Sequence, residues 1–196
     1  MRSDARLRVL VSVIGDVEVG KMSLVHRFLS DDQVRRDLGE GRTHHRKRYL
    51  IELPDRDLAL AMDMDISDHC QGEGPVAPDA CNCLSDADGV VAVADLTRKE
   101  SLNDLDGWVH AVYRLAGNVP VVFALNKADL DREARERWGR ELRAAAYAFQ
   151  APSFLTSAKT GENVTAVFGR MAADIVRWKM RTQEVGDTAV RPLPTG

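Results

Sequence analysis

Residues Arg6–Ile14 (RLRVLVSVI) form a β-branched run that stops at Gly15, and a helical pattern begins only a few residues later, with Leu24, Val25, Phe28 and Leu29 at helical spacing in Met22–Leu29. Between them lies Gly15-Asp16-Val17-Glu18-Val19-Gly20-Lys21, followed by Met22 and Ser23. A strand that feeds a glycine-bounded loop and then a helix is a tightly constrained unit. The loop's backbone N–H groups and the helix N-terminus converge on one point, and a lysine adds a point charge there. The arrangement suits a phosphate. The bland alternative is an ordinary glycine turn before a helix.

The rest of the chain repeats the alternation. Tyr49–Leu53 and Leu58–Ile66 read as strands joined by a Leu53-Pro54-Asp55-Arg56 turn, and Leu58, Leu60, Met62, Met64 and Ile66 share one face. The segment Gly72–Pro78 (GEGPVAP) is rich in breakers and predicts a loop. Then come a strand at Gly89–Ala94, a helix over Ser101–Leu115, a strand at Val119–Leu125 and a charged helix at Arg132–Phe149. Ser153–Thr156 is a short strand, and Val164–Met180 an amphipathic helix with Val164, Val167, Phe168, Met171, Ile175 and Val176 inward. This pattern predicts an α/β fold: a mostly parallel sheet with helices on both faces and one antiparallel strand at its edge. With 196 residues, one domain over 1–180 is expected, followed by a polar, mobile tail over 181–196 that carries two prolines.

Composition narrows the partners. The net charge of −3 gives no push toward nucleic acid or an anionic membrane surface. No apolar run approaches the ~18 residues that suggest a membrane span, and the N-terminal run reads as a strand rather than a signal peptide. Three cysteines, Cys70, Cys81 and Cys83, form an odd set that predicts a reducing, cytoplasmic setting. The final residues contain no cysteine, so a prenyl anchor is not expected and membrane attachment would need a partner.

Two further motifs stand at strand ends, where parallel sheets present their ligand loops. Asn126-Lys127-Ala128-Asp129 follows a buried strand. A carboxylate there can accept from both the N1–H and the exocyclic amine of guanine, a donor pair that adenine lacks on that edge. Ser157-Ala158-Lys159 ends the next strand, with backbone amides suited to the guanine O6. Either motif alone could be a solvated polar loop. In this order, with the phosphate loop, they specify one nucleotide.

On these motifs the chain resembles the small GTPases of the Ras/Rab type (P-loop NTPase superfamily), from Arg6 to about Arg177. Asp86–Val109 (DADGVVAVADLTRKESLNDLDGWV) and Asn118–Leu130 (NVPVVFALNKADL) are similar to that family's central strands. The resemblance implies a six-stranded sheet with five helices, GTP or GDP at the strand ends, and nucleotide-dependent switch segments. It implies that the loop Gly15–Ser23 holds phosphate, with Lys21 on the β- and γ-phosphates. Asn126 and Asp129 would take the base, Lys127 its plane, and Ser157, Ala158 and Lys159 its edge.

The departures from the family's pattern concern magnesium and hydrolysis. The residue after the loop lysine carries a hydroxyl for Mg²⁺ in the family, whereas Met22 offers only a soft thioether. Ser23 lies about 100° further round the helix. Val17 would crowd the γ-phosphate and the attacking water, and Glu18 would repel phosphate if it pointed inward. The family's Asp-x-x-Gly-Gln is matched in phase only by Asp68, with Asp63 and Asp65 as competing alignments. That match puts Gln71 where the glycine belongs and Gly72 where the catalytic glutamine would orient water; a shifted loop would still present Gln71. Thr43 is the only threonine before the third strand available as a metal-reaching switch residue, at an unusually long spacing from Lys21.

The basic run Arg42–Arg48 (RTHHRKR) reads as a solvated edge strand, with His44 and His45 at the surface, or as a docking edge for an acidic protein partner by strand addition. His69, Cys70, Cys81 and Cys83 would be a zinc site only with an unusually tight Cys-Asn-Cys spacing. The expected function is a guanine-nucleotide-dependent interaction switch with weak Mg²⁺ binding and slow or partner-dependent GTP hydrolysis. The alternative is a pseudo-GTPase scaffold that does not cycle nucleotide.

Overall fold

The computed structural model describes residues 6–29, 34–37, 43–53, 58–68 and 84–185. Among the described residues, seven strands make one sheet in the order β2-β3-β4-β1-β5-β6-β7. They are β1 (Arg6–Ile14), β2 (Val34–Asp37), β3 (Thr43–Leu53), β4 (Leu58–Asp68), β5 (Gly89–Asp95), β6 (Val121–Asn126) and β7 (Ser153–Leu155). The helices are α1 (Lys21–Leu29), α2 (Lys99–Asn103), α3 (Leu105–Ala116), α4 (Arg132–Ala148) and α5 (Val164–Val185). From β4 through β1, β5 and β6 to β7 all neighbours run parallel, whereas β3 runs antiparallel to β4 and to β2.

Strand alternation sorts the side chains into two cores. Val9, Val11 and Val13 of β1, Met62, Met64 and Ile66 of β4, and Val91 and Val93 of β5 pack on the face covered by α1 and α5. Val90, Ala92 and Ala94 of β5 and Val121, Phe123 and Leu125 of β6 pack on the face covered by α2, α3 and α4. The central strands β5 and β6 are buried on both faces, hence their unbroken apolar runs.

The six expected strands are present, and the structure adds a seventh, β2, whose Val34–Asp37 pairs with Arg46–Thr43 of β3. Its sequence, VRRD, has no apolar alternation to announce it. This corrects the edge reading of the basic run: over His44–Arg46, β3 is an internal strand flanked by β2 and β4. The surface reading of His45 also fails. Its ring is 1% exposed and meets His26 edge-on at 5.3 Å. Strand periodicity puts His45 inward because its neighbour Arg46 points the other way.

The helix expected over Ser101–Leu115 is broken at Asp104 into α2 and α3. Asp131 caps α4, its carboxylate accepting from the backbone N–H groups of Glu133 and Ala134, both at 2.9 Å. Helix α5 runs five residues beyond Met180, to Val185. The expected turn at 54–57, the Gly72–Pro78 loop, Gln71, Gly72, the His69/Cys70/Cys81/Cys83 cluster and the tail from residue 186 lie outside the described residues.

Candidate functional site

The loop after β1 sits at the C-terminal end of the parallel sheet and touches it closely. Gly15 has φ 133°, and a Cβ there would lie 2.1 Å from the Val93 carbonyl oxygen. Gly20 has φ 89°, and a Cβ there would lie 2.4 Å from Asn126 Nδ2. Both glycines are therefore demanded by close approach as well as by backbone conformation. Lys21 is buried at the start of α1, and its Nζ donates to the carbonyl oxygens of Gly15 at 2.9 Å and Asp16 at 2.7 Å. The ammonium thus spans the loop from which it came.

The remaining loop positions divide by side. Glu18 adopts a left-handed φ of 61° and is exposed, so its carboxylate points outward. Val17 and Met22 are half-buried, and Ser23 is exposed. Val19 is fully buried.

Asn126, at the end of β6, joins all three motifs. Its Nδ2 donates to the Val19 carbonyl at 3.0 Å, and its Oδ1 accepts from the Ala158 N–H at 3.1 Å. Asp129 accepts from the Ser157 hydroxyl at 2.6 Å and has Lys159 Nζ at 3.9 Å. The Ser157 hydrogen bond, supported by the Lys159 charge, lowers the Asp129 carboxyl pKa below its ordinary value against some desolvation. An ionised acid is what recognition of two guanine donors requires. Lys127 takes a left-handed φ of 62° and its Nζ reaches Asp95 Oδ2 at 2.6 Å.

Several supporting residues carry no motif signature. Asp95 ends β5 and is buried; besides Lys127 it accepts from the Thr97 N–H at 2.9 Å and hydroxyl at 2.8 Å. Below the phosphate loop, Trp108 Nε1 donates to Asp16 Oδ1 at 2.9 Å. Arg98 Nη2 donates to the Val17 carbonyl at 2.9 Å and lies 3.8 Å from Asp16 Oδ2. Burial, then the charge of Asp16 and a hydrogen bond with it, raise the Asp104 carboxyl pKa, with Arg98 opposing. A polar residue at the very end of a buried parallel strand was the signal available for Asp95. Nothing local marks Trp108, Arg98 or Asp104.

The metal candidates are placed by backbone register alone. Asp68 pairs with Val13, one residue pair from the end of β1, and His44, beside Thr43, pairs with Ser67. Both Asp68 and Thr43 thus lie at the phosphate-loop end of the sheet, Thr43 two strand spacings from β1, roughly 10 Å. Asp63 pairs instead with Arg8 and holds Arg48 Nε at 2.8 Å, and Asp65 pairs with Leu10, so both stand further from the loop. The residue after Lys21 brings no hard oxygen, and among the described residues no three His, Cys, Asp or Glu cluster to hold an ion. A cleft of about 660 Å³ opens at the opposite end of the sheet, around Tyr113, Val121, Phe149 and Trp178, and holds none of the motif residues.

A glycine-bounded anion loop and two base-edge loops, gathered at the C-terminal ends of parallel strands, define a P-loop nucleotide-binding protein. Residues 10–177 match the Ras family. Ras-related protein RABE1d of Arabidopsis thaliana is 31% identical over 192 residues, covering 97% of this chain and 84% of the relative. Ras-related protein RABD2a of the same plant is 30% identical over 181 residues, covering 92% and 85%. GTP-binding protein ypt5 of Schizosaccharomyces pombe is 31% identical over 171 residues, covering 82% and 74%. The chain belongs to the Ras family of small GTPases, a guanine-nucleotide-binding switch protein of the Rab-like type.

Proposed function

We propose that this chain is a guanine-nucleotide switch that binds Mg²⁺ weakly and hydrolyses GTP slowly or only with a partner's help. The observation that carries the reading is Met22, directly after the buried Lys21 at the start of α1. Phosphoryl transfer depends on neutralising charge on the γ-phosphate and on positioning a water. A thioether supplies neither, and the exposed Ser23 faces away from the place where Met22 stands. Val17, half-buried in the loop, is bulkier than the small residue the family uses there, and Gly72 lacks a side chain to orient water.

In this reading Gly15, Asp16, Val17, Glu18, Val19, Gly20, Lys21, Met22 and Ser23 form the phosphate loop. Asn126, Lys127, Asp129, Ser157, Ala158 and Lys159 select guanine. Asp68 and Thr43 are the weak metal contacts, and Gln71 is the residual candidate for the water. Effectors or regulators read the nucleotide state in a reducing, cytoplasmic compartment. The basic run Arg42–Arg48 remains the proposed docking surface for an acidic partner, although Arg48 is already engaged by Asp63 at 2.8 Å. The pseudo-GTPase alternative draws on the same substitutions, but the ionised Asp129 and its Ser157 support have no use in an empty pocket.

The test is to denature purified protein and identify released nucleotide, then titrate fluorescent GDP, GTP and ATP analogues with Mg²⁺ and with EDTA. Guanine-selective binding nearly unchanged by EDTA, with GTP turnover slow, supports the proposal. No bound nucleotide and no affinity at high micromolar concentration gives the scaffold reading. Strong loss of affinity in EDTA overturns the magnesium argument.

A further inference from the structure

The two guanine loops are joined at their outer rim by a residue outside every motif. Arg135 lies in the first turns of α4, directly after the Asn126–Asp129 loop. Its Nη1 donates to the Ala128 carbonyl at 3.3 Å and to Glu162 Oε2 at 3.0 Å, while Nη2 donates to Glu162 Oε1. One guanidinium therefore holds the backbone of one loop and the carboxylate of the other.

Glu162 is in turn bound to the base-edge residues. Its carbonyl accepts from the Ser157 N–H at 3.1 Å, and the Ser157 hydroxyl is the group that holds Asp129. The chain of contacts runs Arg135, Glu162, Ser157, Asp129, and returns through α4 to Ala128. Both ion-pair partners are about one-third exposed, 31% and 34%, so water weakens the pair without removing it. A planar fork facing a carboxylate with two parallel donors fixes orientation in a way that a lysine cannot. Rotating the Ala158–Asn163 loop away from Asp129 breaks both arms of that fork.

We infer that Arg135 is a positioning residue for the guanine pocket, latching the Ala158–Asn163 loop against the Asn126–Asp129 loop and so setting how long a guanine nucleotide stays bound. The inference rests on the nucleotide-switch reading above and adds a residue to it. Because Arg135 holds the two loops to each other and is not among the residues assigned to the base, it acts on release rather than on encounter.

The test measures association and dissociation of a fluorescent GDP analogue for the full chain and for Arg135→Ala, Arg135→Lys, Glu162→Gln and the Arg135→Ala/Glu162→Gln pair. Arg135→Ala and Glu162→Gln should each speed release about five- to tenfold, with association within about twofold of the original. The pair should be no faster than Arg135→Ala alone, because Glu162→Gln removes only an arm that Arg135→Ala already lacks, and Arg135→Lys should fall between. Added salt should accelerate release from the original protein and leave Arg135→Ala unchanged. Should Arg135→Ala fail to fold, Arg135→Lys and Glu162→Gln carry the same comparison. Release within twofold of the original in the folded variants, or additive effects in the pair, overturns the latch while leaving the nucleotide reading intact. An original protein that binds no guanine nucleotide overturns both.

Discussion

Trp108 Nε1 donates to Asp16 Oδ1 at 2.9 Å across 92 residues of sequence, tying α3 to the underside of the phosphate loop. Asp16 is buried, so its carboxylate depends on this donor and on Arg98 for compensation. Replacing Trp108 by Phe keeps the ring and removes the donor. The expected cost is about 1–3 kcal/mol of stability, read from urea unfolding. Faster GDP release should accompany it. An unchanged midpoint would show that the bond contributes nothing.

The Asp104 carboxyl carries a pH signature. Burial and the neighbouring Asp16 raise its pKa in the folded chain. A raised acid pKa means that the folded state binds the proton more tightly than the unfolded state does. Its contribution to stability is therefore present at low pH and lost as pH rises through the folded pKa. Asp104→Asn, a permanently neutral mimic, should raise Tm at pH 7, and the difference should shrink as pH falls toward that pKa. A Tm difference independent of pH would contradict the assignment.

Met22→Ser places a hydroxyl directly after Lys21. If the loop is aligned as proposed, the ratio of GDP affinity in Mg²⁺ to that in EDTA should rise by roughly tenfold or more. A ratio unchanged in a folded variant would count against that alignment.

Asp129→Asn leaves one acceptor where two guanine donors need a carboxylate. Loss of guanine-over-adenine selectivity by at least about a hundredfold is expected from competition titrations. Retained selectivity would move base recognition elsewhere.

Gly15→Ala forces a Cβ to 2.1 Å from the Val93 carbonyl oxygen at a φ of 133°. The expected loss is at least about 3 kcal/mol, since β5 cannot retreat without opening the core. Circular dichroism melting should report it.

Much of this was legible in the chain. The two-residue period of β1 and β4 and the all-apolar runs of β5 and β6 predict the sheet, because burial on one face or two imposes those patterns. Local motifs likewise point to the nucleotide, since Lys21 opens the helix after β1 while Asn126, Asp129 and Ser157 stand at or just past strand ends. β2 was not legible, because a four-residue VRRD strand is made by pairing with β3 rather than by its own residues. The burial of His45 was hidden by the basic residues that flank it in Arg42–Arg48.

What the sequence by itself determined was the alternation of the main strands and helices, the ligand class and the missing hydroxyl at position 22, all of which are properties of neighbouring residues. Only the tertiary structure decided which distant groups support them. Arg98 reaches Val17 across 81 residues, and Asn126 reaches Val19 across 107. Such contacts carry no local periodicity. They exist because parallel strands bring their C-terminal ends to one edge of the sheet, where unpaired backbone groups and buried charges must find partners among whichever side chains arrive there.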